Sequence, residues 1–172
     1  MLNAPASTLY REVILDHFQN PRYKEDLKDF DEEVEGYNPL CGDRVILRIK
    51  ISGENPHNKQ MKNISVNTKG CSICISSGSI MAEELIGKEI GFVKKHIDNF
   101  KQMLKGGEII SSETGDVETL EGIKNYPARI KCALLPWTSL EEGIENFEKN
   151  HKAASYRNQN ILTTKSTKKN IS

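Results

Sequence analysis

Residues 38–52 read NPLCGDRVILRIKIS, a cysteine-containing turn that runs directly into a stretch of alternating apolar and polar side chains. Such alternation predicts a β-strand with one buried face. Glycine in the turn lets the backbone bend tightly, so that a thiol and a carboxylate on either side of it can reach one point. The strand pattern is carried by every second residue: Val45, Leu47, Ile49 and Ile51.

Three cysteines in separate segments stand beside glycine or charged residues: Cys41, Cys71 and Cys132. Their thiolates and the carboxylate of Asp43 would complete a four-ligand zinc shell. A lone cysteine is more often a small buried apolar side chain. In a reducing cytosol, however, a group of cysteines favours metal binding or catalysis over disulfides. The sequence therefore predicts a metal–thiolate site whose cysteines also carry out sulfur chemistry.

The fourth cysteine and the histidines have weaker patterns. Cys74 forms a Cys-x-x-Cys with Cys71, but no second such motif and no βαβ pattern supports a redox pair. We expect Cys74 to pack one turn into a helix as a polarisable spacer, with the role of alternative ligand left open. None of the four histidines is expected to bind the metal, since His17 is predicted at a helix end or on the surface and His96 on a polar helical face.

The rest of the chain predicts an α+β fold. A second strand over residues 64–68 should pair antiparallel with the first, and a weak pattern over 32–38 indicates an edge strand within a mostly polar segment. Pro136 is expected to kink or split the last helix. Apolar spacing and stop signals predict five helices: from Ser7 or Thr8 to Asn20, from just after Cys71 to Gly87, Ile90 to Leu104, Val117 to Tyr126, and Ala128 to Phe147.

Composition limits the partners and the location. The chain has 172 residues with Lys+Arg and Asp+Glu both at 24, so no net charge draws it to nucleic acid or to an anionic membrane. No apolar run has membrane-spanning length, and residues 1–7 lack the features of a signal peptide. We expect a cytoplasmic protein with neither nucleic-acid nor membrane partners. Residues 151–172 form a basic, polar tail that is predicted to be disordered.

Five motifs in fixed order carry a family resemblance: LYR at 9–11, DHFQNPR at 16–22, NPLCGD at 38–43, GCSI at 70–73 and PARIKCALLPW at 127–137. On these motifs the chain resembles the IscU/NifU N-terminal scaffold family, and most closely its SufU branch. The scaffold proteins proper carry a histidine where this chain has Lys131. The SufU branch also has a longer segment before the last cysteine, which residues 105–128 resemble.

The resemblance implies one domain over residues 7–150 with the SufE/IscU-like fold, a small antiparallel sheet with helices packed on one face. It implies zinc bound by four residues of this chain: Cys41, Asp43, Cys71 and Cys132. It also implies two partners, a pyridoxal-phosphate cysteine desulfurase of the SufS type and a downstream iron–sulfur scaffold.

The implied mechanism is a sulfurtransferase-type relay in iron–sulfur cluster assembly. Cys41 would accept persulfide sulfur, and Arg129 would stabilise the released or persulfidated anion. Whether this makes the protein an enzyme stays open. One alternative is an IscU-type scaffold that assembles a [2Fe–2S] cluster or binds Fe²⁺ transiently. Another is a structural zinc module that only binds a partner.

Overall fold

A three-stranded antiparallel sheet lies at the centre of the computed structural model, which describes residues 6–53, 58–107 and 115–167. The strands stand in the order β1 (Glu32–Asn38), β2 (Asp43–Ser52) and β3 (Gln60–Lys69). The described residues also form a run of 3-10 turns and four α-helices: α1 (Ala6–Gln19), α2 (Ser72–Leu85), α3 (Ile90–Leu104), the 3-10 segment (Gly115–Asn125) and α4 (Pro127–Thr167).

The alternation in β2 divides the sheet into two chemically different faces. Leu47 is buried and lies opposite Val34 of β1 and Val66 of β3, so all three strands supply apolar side chains to one face. On the other face Arg48 pairs with Asp26 and Glu33. A register shift of one residue would move every apolar side chain of the strand to the opposite face. The alternation therefore fixes which face receives the helices.

Helices α2 and α4 pack on the apolar face of the sheet and complete the core. Trp137 of α4 is fully buried and stacks on Phe100 of α3, with ring centroids 4.2 Å apart. The indole Nε1–H of Trp137 donates to Ser77 Oγ at 2.9 Å. The α+β prediction, with a small antiparallel sheet and helices on one face, is confirmed.

Pro136 does not split the last helix as predicted, because α4 runs without interruption through this residue. A proline removes one N–H and frees carbonyls in the preceding turn. Two hydroxyl groups donate to carbonyls close to the proline: Ser77 Oγ donates to Ala133 O at 2.6 Å, and Ser139 Oγ donates to Leu135 O at 2.9 Å. Side-chain donors thus support the backbone around the proline.

Helix α4 also extends further than expected, to Thr167, into the segment for which the sequence predicts a disordered tail. Once a helix is nucleated, each added residue costs little, and residues 151–167 contain neither glycine nor proline. The domain boundary at residue 150 stays a prediction. Within the described parts of the chain, no helix has the length and apolar character that crossing a membrane requires.

Other local predictions have mixed outcomes. The edge strand over residues 32–38 is confirmed. The segment over residues 105–128, which resembles the longer segment of the SufU branch, falls partly outside the described residues. His17 lies in the last turn of α1, as predicted for a helix end, but it is buried, with 1% of its surface accessible. His96, predicted on a polar helical face, is also buried, with 4% accessible. His96 stacks on Phe92 of its own helix and on Trp137 of α4, and this aromatic packing accompanies its burial.

We predict that Ser77→Ala destabilises the fold by about 1–3 kcal/mol, because it leaves the buried Trp137 N–H and the Ala133 carbonyl without their partner. Urea unfolding followed by tryptophan fluorescence measures the change. Thr138→Ala removes a hydroxyl from an exposed position of α4, the helix that Ser77 contacts, and is the control. Equal free energies of unfolding for the two variants would contradict the assigned role of Ser77.

Candidate metal centre

The loop between β1 and β2 presents Cys41 and Asp43. Asn38 ends β1, and its carbonyl accepts a hydrogen bond from Gly42 N at 2.8 Å, which closes the turn. Gly42 has a φ of 71°, a left-handed conformation that glycine adopts without strain. Cys41 is half-buried at the tip of this turn, whereas Asp43 opens β2 and is fully buried.

The buried Asp43 carboxylate is held by groups from two other segments. Its Oδ1 accepts a hydrogen bond from Cys71 N at 2.8 Å, and its Oδ2 accepts one from Asn38 Nδ2 at 3.2 Å. A buried carboxylate without such donors is costly. Gly70 permits the approach, since a Cβ there would overlap Asp43 Oδ1. These contacts bring the start of α2 against the start of β2.

Three of the four predicted ligands converge. One donor atom each from Cys41, Asp43 and Cys132 lies within 4.8 Å of the other two. Cys71 is not a member of this set, although its side chain interacts with the Cys132 thiol. Cys71 stands at the N-cap of α2, and its thiol caps no backbone N–H, so it is not committed to the helix. The arrangement suits soft thiolate ligands with one carboxylate.

Cys132 lies deepest in the site. Burial is the main cause that raises its thiol pKa, and its interactions with Asp43 and Cys41 act in the same direction. Asn38 Nδ2 lies 3.5 Å from Cys132 Sγ, so one amide contacts both a carboxylate and a thiol of the site. The sequence analysis missed Asn38. The only feature of the sequence that pointed to Asn38 was its position as a polar side chain at the start of the cysteine-containing turn.

Arg129 faces the thiols from the first turn of α4. Its Nη1 lies 3.8 Å from Cys41 Sγ, and its guanidinium is exposed. The pKa of Arg129 is raised, first by its contact with Cys132 and then by the charges of Cys71 and Cys41. The guanidinium therefore supplies a fixed positive charge beside the sulfur atoms.

Cys74 lies inside the core, as the spacer interpretation predicts. It is fully buried, and this burial is the largest cause that raises its thiol pKa; the charges of Asp43, Cys71 and Cys41 raise it further. Unlike Cys132, it does not belong to the convergent ligand set, and a buried thiol with no metal or cation beside it is a poor nucleophile.

The geometry of this site agrees with the family match. The family of NifU-like N terminal domains matches residues 9–154. The chain belongs to this family. The chain is similar to the zinc-dependent sulfurtransferase SufU of Bacillus subtilis, which is 40% identical over 147 residues, covering 85% of this chain and 96% of that protein.

Two more proteins similar to this chain are scaffolds by name. The iron–sulfur cluster assembly scaffold protein IscU of Thermotoga maritima is 30% identical over 141 residues, covering 82% of this chain and 96% of that protein. A crystal structure from Fervidobacterium islandicum, of a putative iron–sulfur cluster assembly scaffold protein for the SUF system, superposes with a TM-score of 0.70. It is 29% identical and covers 81% of this chain and 98% of that chain.

We predict that Gly70→Ala weakens zinc binding at least about tenfold, because the new methyl group displaces the Asp43 carboxylate. Zinc retained after dialysis against a competing chelator measures the effect. Gly91→Ala adds the same methyl group to a site in α3 where, apart from the adjoining helix backbone, it meets nothing within 4 Å, and it should retain wild-type zinc. Equal zinc retention in the two variants would contradict the dependence on Gly70.

We predict that Cys74→Ser keeps its zinc and loses on the order of 1 kcal/mol of stability, because a hydroxyl replaces a buried thiol away from the ligand set. Asp43→Ala, by contrast, should lose zinc. Elemental analysis and thermal unfolding of both variants provide the measurement. Loss of zinc from Cys74→Ser together with its retention by Asp43→Ala would make Cys74 the fourth ligand.

Proposed function

We propose that this protein is a zinc-dependent sulfur acceptor that takes persulfide sulfur from a cysteine desulfurase and passes it toward iron–sulfur cluster assembly. The observation that carries the proposal is the half-buried Cys41 thiol, which converges with Asp43 and Cys132 and faces the Arg129 guanidinium. The similarity to the zinc-dependent sulfurtransferase SufU over most of both chains supports it.

The donor set fits zinc. Three thiols and one carboxylate supply the soft and hard ligands of a closed four-coordinate site, which we assign to Cys41, Asp43, Cys71 and Cys132. Bound zinc would stabilise the thiolate forms and add no redox chemistry of its own. Asn38 and the Cys71 N–H hold the Asp43 carboxylate in place, in the manner of the outer contacts that orient metal ligands.

Sulfur transfer itself requires an accessible thiolate. The Cys41 thiolate attacks the terminal sulfur of the desulfurase persulfide, a new S–S bond forms on Cys41, and the desulfurase cysteine leaves as a thiolate. The exchange needs no external oxidant, since the persulfide sulfur is already at the required oxidation level. Cys132 is fully buried and stays behind as a ligand, whereas Cys41 is half-buried at the tip of a glycine turn and can meet a partner.

Arg129 is suited to the anions of this step. Its charge lies beside Cys41 and favours both the attacking thiolate and the persulfide anion that results. Exposed apolar side chains flank the same region. Leu40 adjoins Cys41 and is 71% exposed, and Tyr126 lies just before α4 and is 63% exposed. Exposed apolar residues of this kind mark interaction sites, and we assign the surface to the desulfurase. We place this exchange in the cytoplasm, where thiols stay reduced.

The second candidate function is a scaffold for a [2Fe–2S] cluster, or for transiently bound Fe²⁺. Its support is the similarity to relatives described as assembly scaffolds. The same thiolates can hold iron and sulfide. Lys131 argues for the relay, because it is an exposed cation next to Cys132 and offers no imidazole to a cluster. Zinc without visible absorbance favours the relay, and iron with acid-labile sulfide favours the scaffold.

We predict that incubation with a SufS-type cysteine desulfurase and cysteine adds sulfur to Cys41 and stimulates the desulfurase. Cys41→Ser should abolish both effects, because the acceptor thiol is gone. Peptide mass spectrometry locates the added sulfur, and alanine production measures turnover. Sulfur on Cys132 with an unmodified Cys41 would overturn the assignment of the acceptor. Iron and sulfide in place of zinc would favour the scaffold.

Arg129→Gln should lower the rate of sulfur acceptance about tenfold or more while the zinc content stays at the wild-type level, because the variant removes the charge beside Cys41 but no ligand. Lys131→Gln removes an exposed charge two residues away and is the matched control. The rate of sulfur acceptance is measured for each variant from reactions that are stopped at successive times. Equal rates in the two variants would remove Arg129 from the mechanism.

A further inference from the structure

A second group of potential metal ligands lies outside the thiolate site. It consists of His17 near the end of α1, Glu83 in α2 and Asp116 in the 3-10 segment, with ligand atoms that all lie within 4.8 Å of one another. We propose that this cluster binds a divalent transition-metal ion through one imidazole nitrogen and two carboxylate oxygens. The proposal is independent of the sulfur relay, since the two sites share no residue.

The spacing of the donor atoms fits a metal better than a hydrogen-bonded network. His17 Nε2 lies 3.6 Å from Glu83 Oε2 and 3.5 Å from Asp116 Oδ2. Good N–H···O hydrogen bonds are shorter, with a donor–acceptor distance of about 2.9 Å. Two ligands about 2.1 Å from one tetrahedral ion are themselves about 3.4 Å apart. The observed distances therefore leave the space that an ion needs between the donors.

His17 is oriented for this role by its other ring nitrogen. Its Nδ1 lies 2.8 Å from Ser79 Oγ, which also accepts a hydrogen bond from Arg22 N at 2.8 Å. In the tautomer that donates from Nδ1 to Ser79, the Nε2 lone pair points at the two carboxylates. Metal-binding histidines are commonly oriented by such a contact at the second nitrogen. The ring is 1% exposed, so it cannot turn away into solvent.

The two carboxylates are positioned yet open to solvent. The Asp116 backbone N–H donates to Glu84 Oε1 at 2.7 Å, which fixes the start of the 3-10 segment against α2. Arg22 Nε lies 4.0 Å from Glu83 Oε1, on the oxygen that does not face His17. The Glu83 and Asp116 side chains are 48% and 52% exposed. An ion can thus enter from solvent and complete its shell with water.

The donor types indicate the class of ion. One imidazole with two carboxylates suits borderline divalent ions such as Zn²⁺ or Fe²⁺, and the absence of thiols from the three residues makes the cluster less suited to soft ions. Two negative carboxylates and a neutral imidazole also match the charge of a divalent cation. We therefore use Zn²⁺ as the probe, because it is redox-inert and can be counted.

The experiment counts bound zinc in the full-length protein at equilibrium with a series of buffered free Zn²⁺ concentrations. Wild type should reach a plateau about one Zn²⁺ per chain higher than Glu83→Gln and Asp116→Asn. Alternatively, those variants should fill the site only at about tenfold higher free Zn²⁺ or more. Because the result is a difference between variants, it stands whether or not the thiolate site holds zinc. Asp98→Asn removes an exposed carboxylate from α3 and should match wild type.

Two further measurements assign the site. The His17 ring ¹⁵N resonances should shift when the additional Zn²⁺ binds, and zinc should raise the melting temperature of wild type more than that of Glu83→Gln. Identical zinc binding in wild type and both carboxylate variants would overturn the proposal. So would a lower melting temperature in the variants with no change in zinc binding, because the cluster would then be a structural ion-pair network.

Discussion

The buried carboxylate of Asp43 is the constraint on which the arrangement of the thiolate site depends. It cannot remain charged in the core without donors, and it takes them from the Cys71 backbone and the Asn38 side chain. Those two contacts tie the end of β1, the start of β2 and the start of α2 to one point. The overlap that a Cβ at Gly70 would cause shows how closely these segments meet. The fold thus positions the proposed metal ligands through the same contacts that stabilise its strand ends.

Helix α4 joins this site to the hydrophobic core. Its first turn carries Arg129, its second carries Cys132, and the indole of Trp137 follows in the core. Pro136 lies inside this helix, and Ser77 of α2 supplies hydrogen bonds on either side of it. Since the helix is anchored through Trp137, its N-terminal turns are held against the loop that bears Cys41. Core packing and the geometry of the thiols are therefore coupled.

A sulfur acceptor must hold its thiol and also release it. The differences in burial among the cysteines provide for both needs. Cys132 is enclosed, and Cys74 lies deeper in the core with a pKa that burial raises. Cys41 stands half-buried on a turn, with Arg129 Nη1 3.8 Å from its Sγ. Cys71 is also half-buried but stands at the N-cap of α2, so Cys41 is distinguished by its place at the tip of the glycine turn.

The sequence by itself determined the sheet, most of the helices and the chemical nature of the thiolate site, because strand alternation, helical spacing and cysteine chemistry are local properties of the chain. It did not reveal Asn38, the burial of His17 or the continuity of α4 through Pro136. Each of these depends on a partner far along the chain: Cys132 for Asn38, Ser79 for His17, Ser77 for α4. The tertiary structure alone decided them, since periodicity specifies which face of an element is buried but not which distant polar group meets it there.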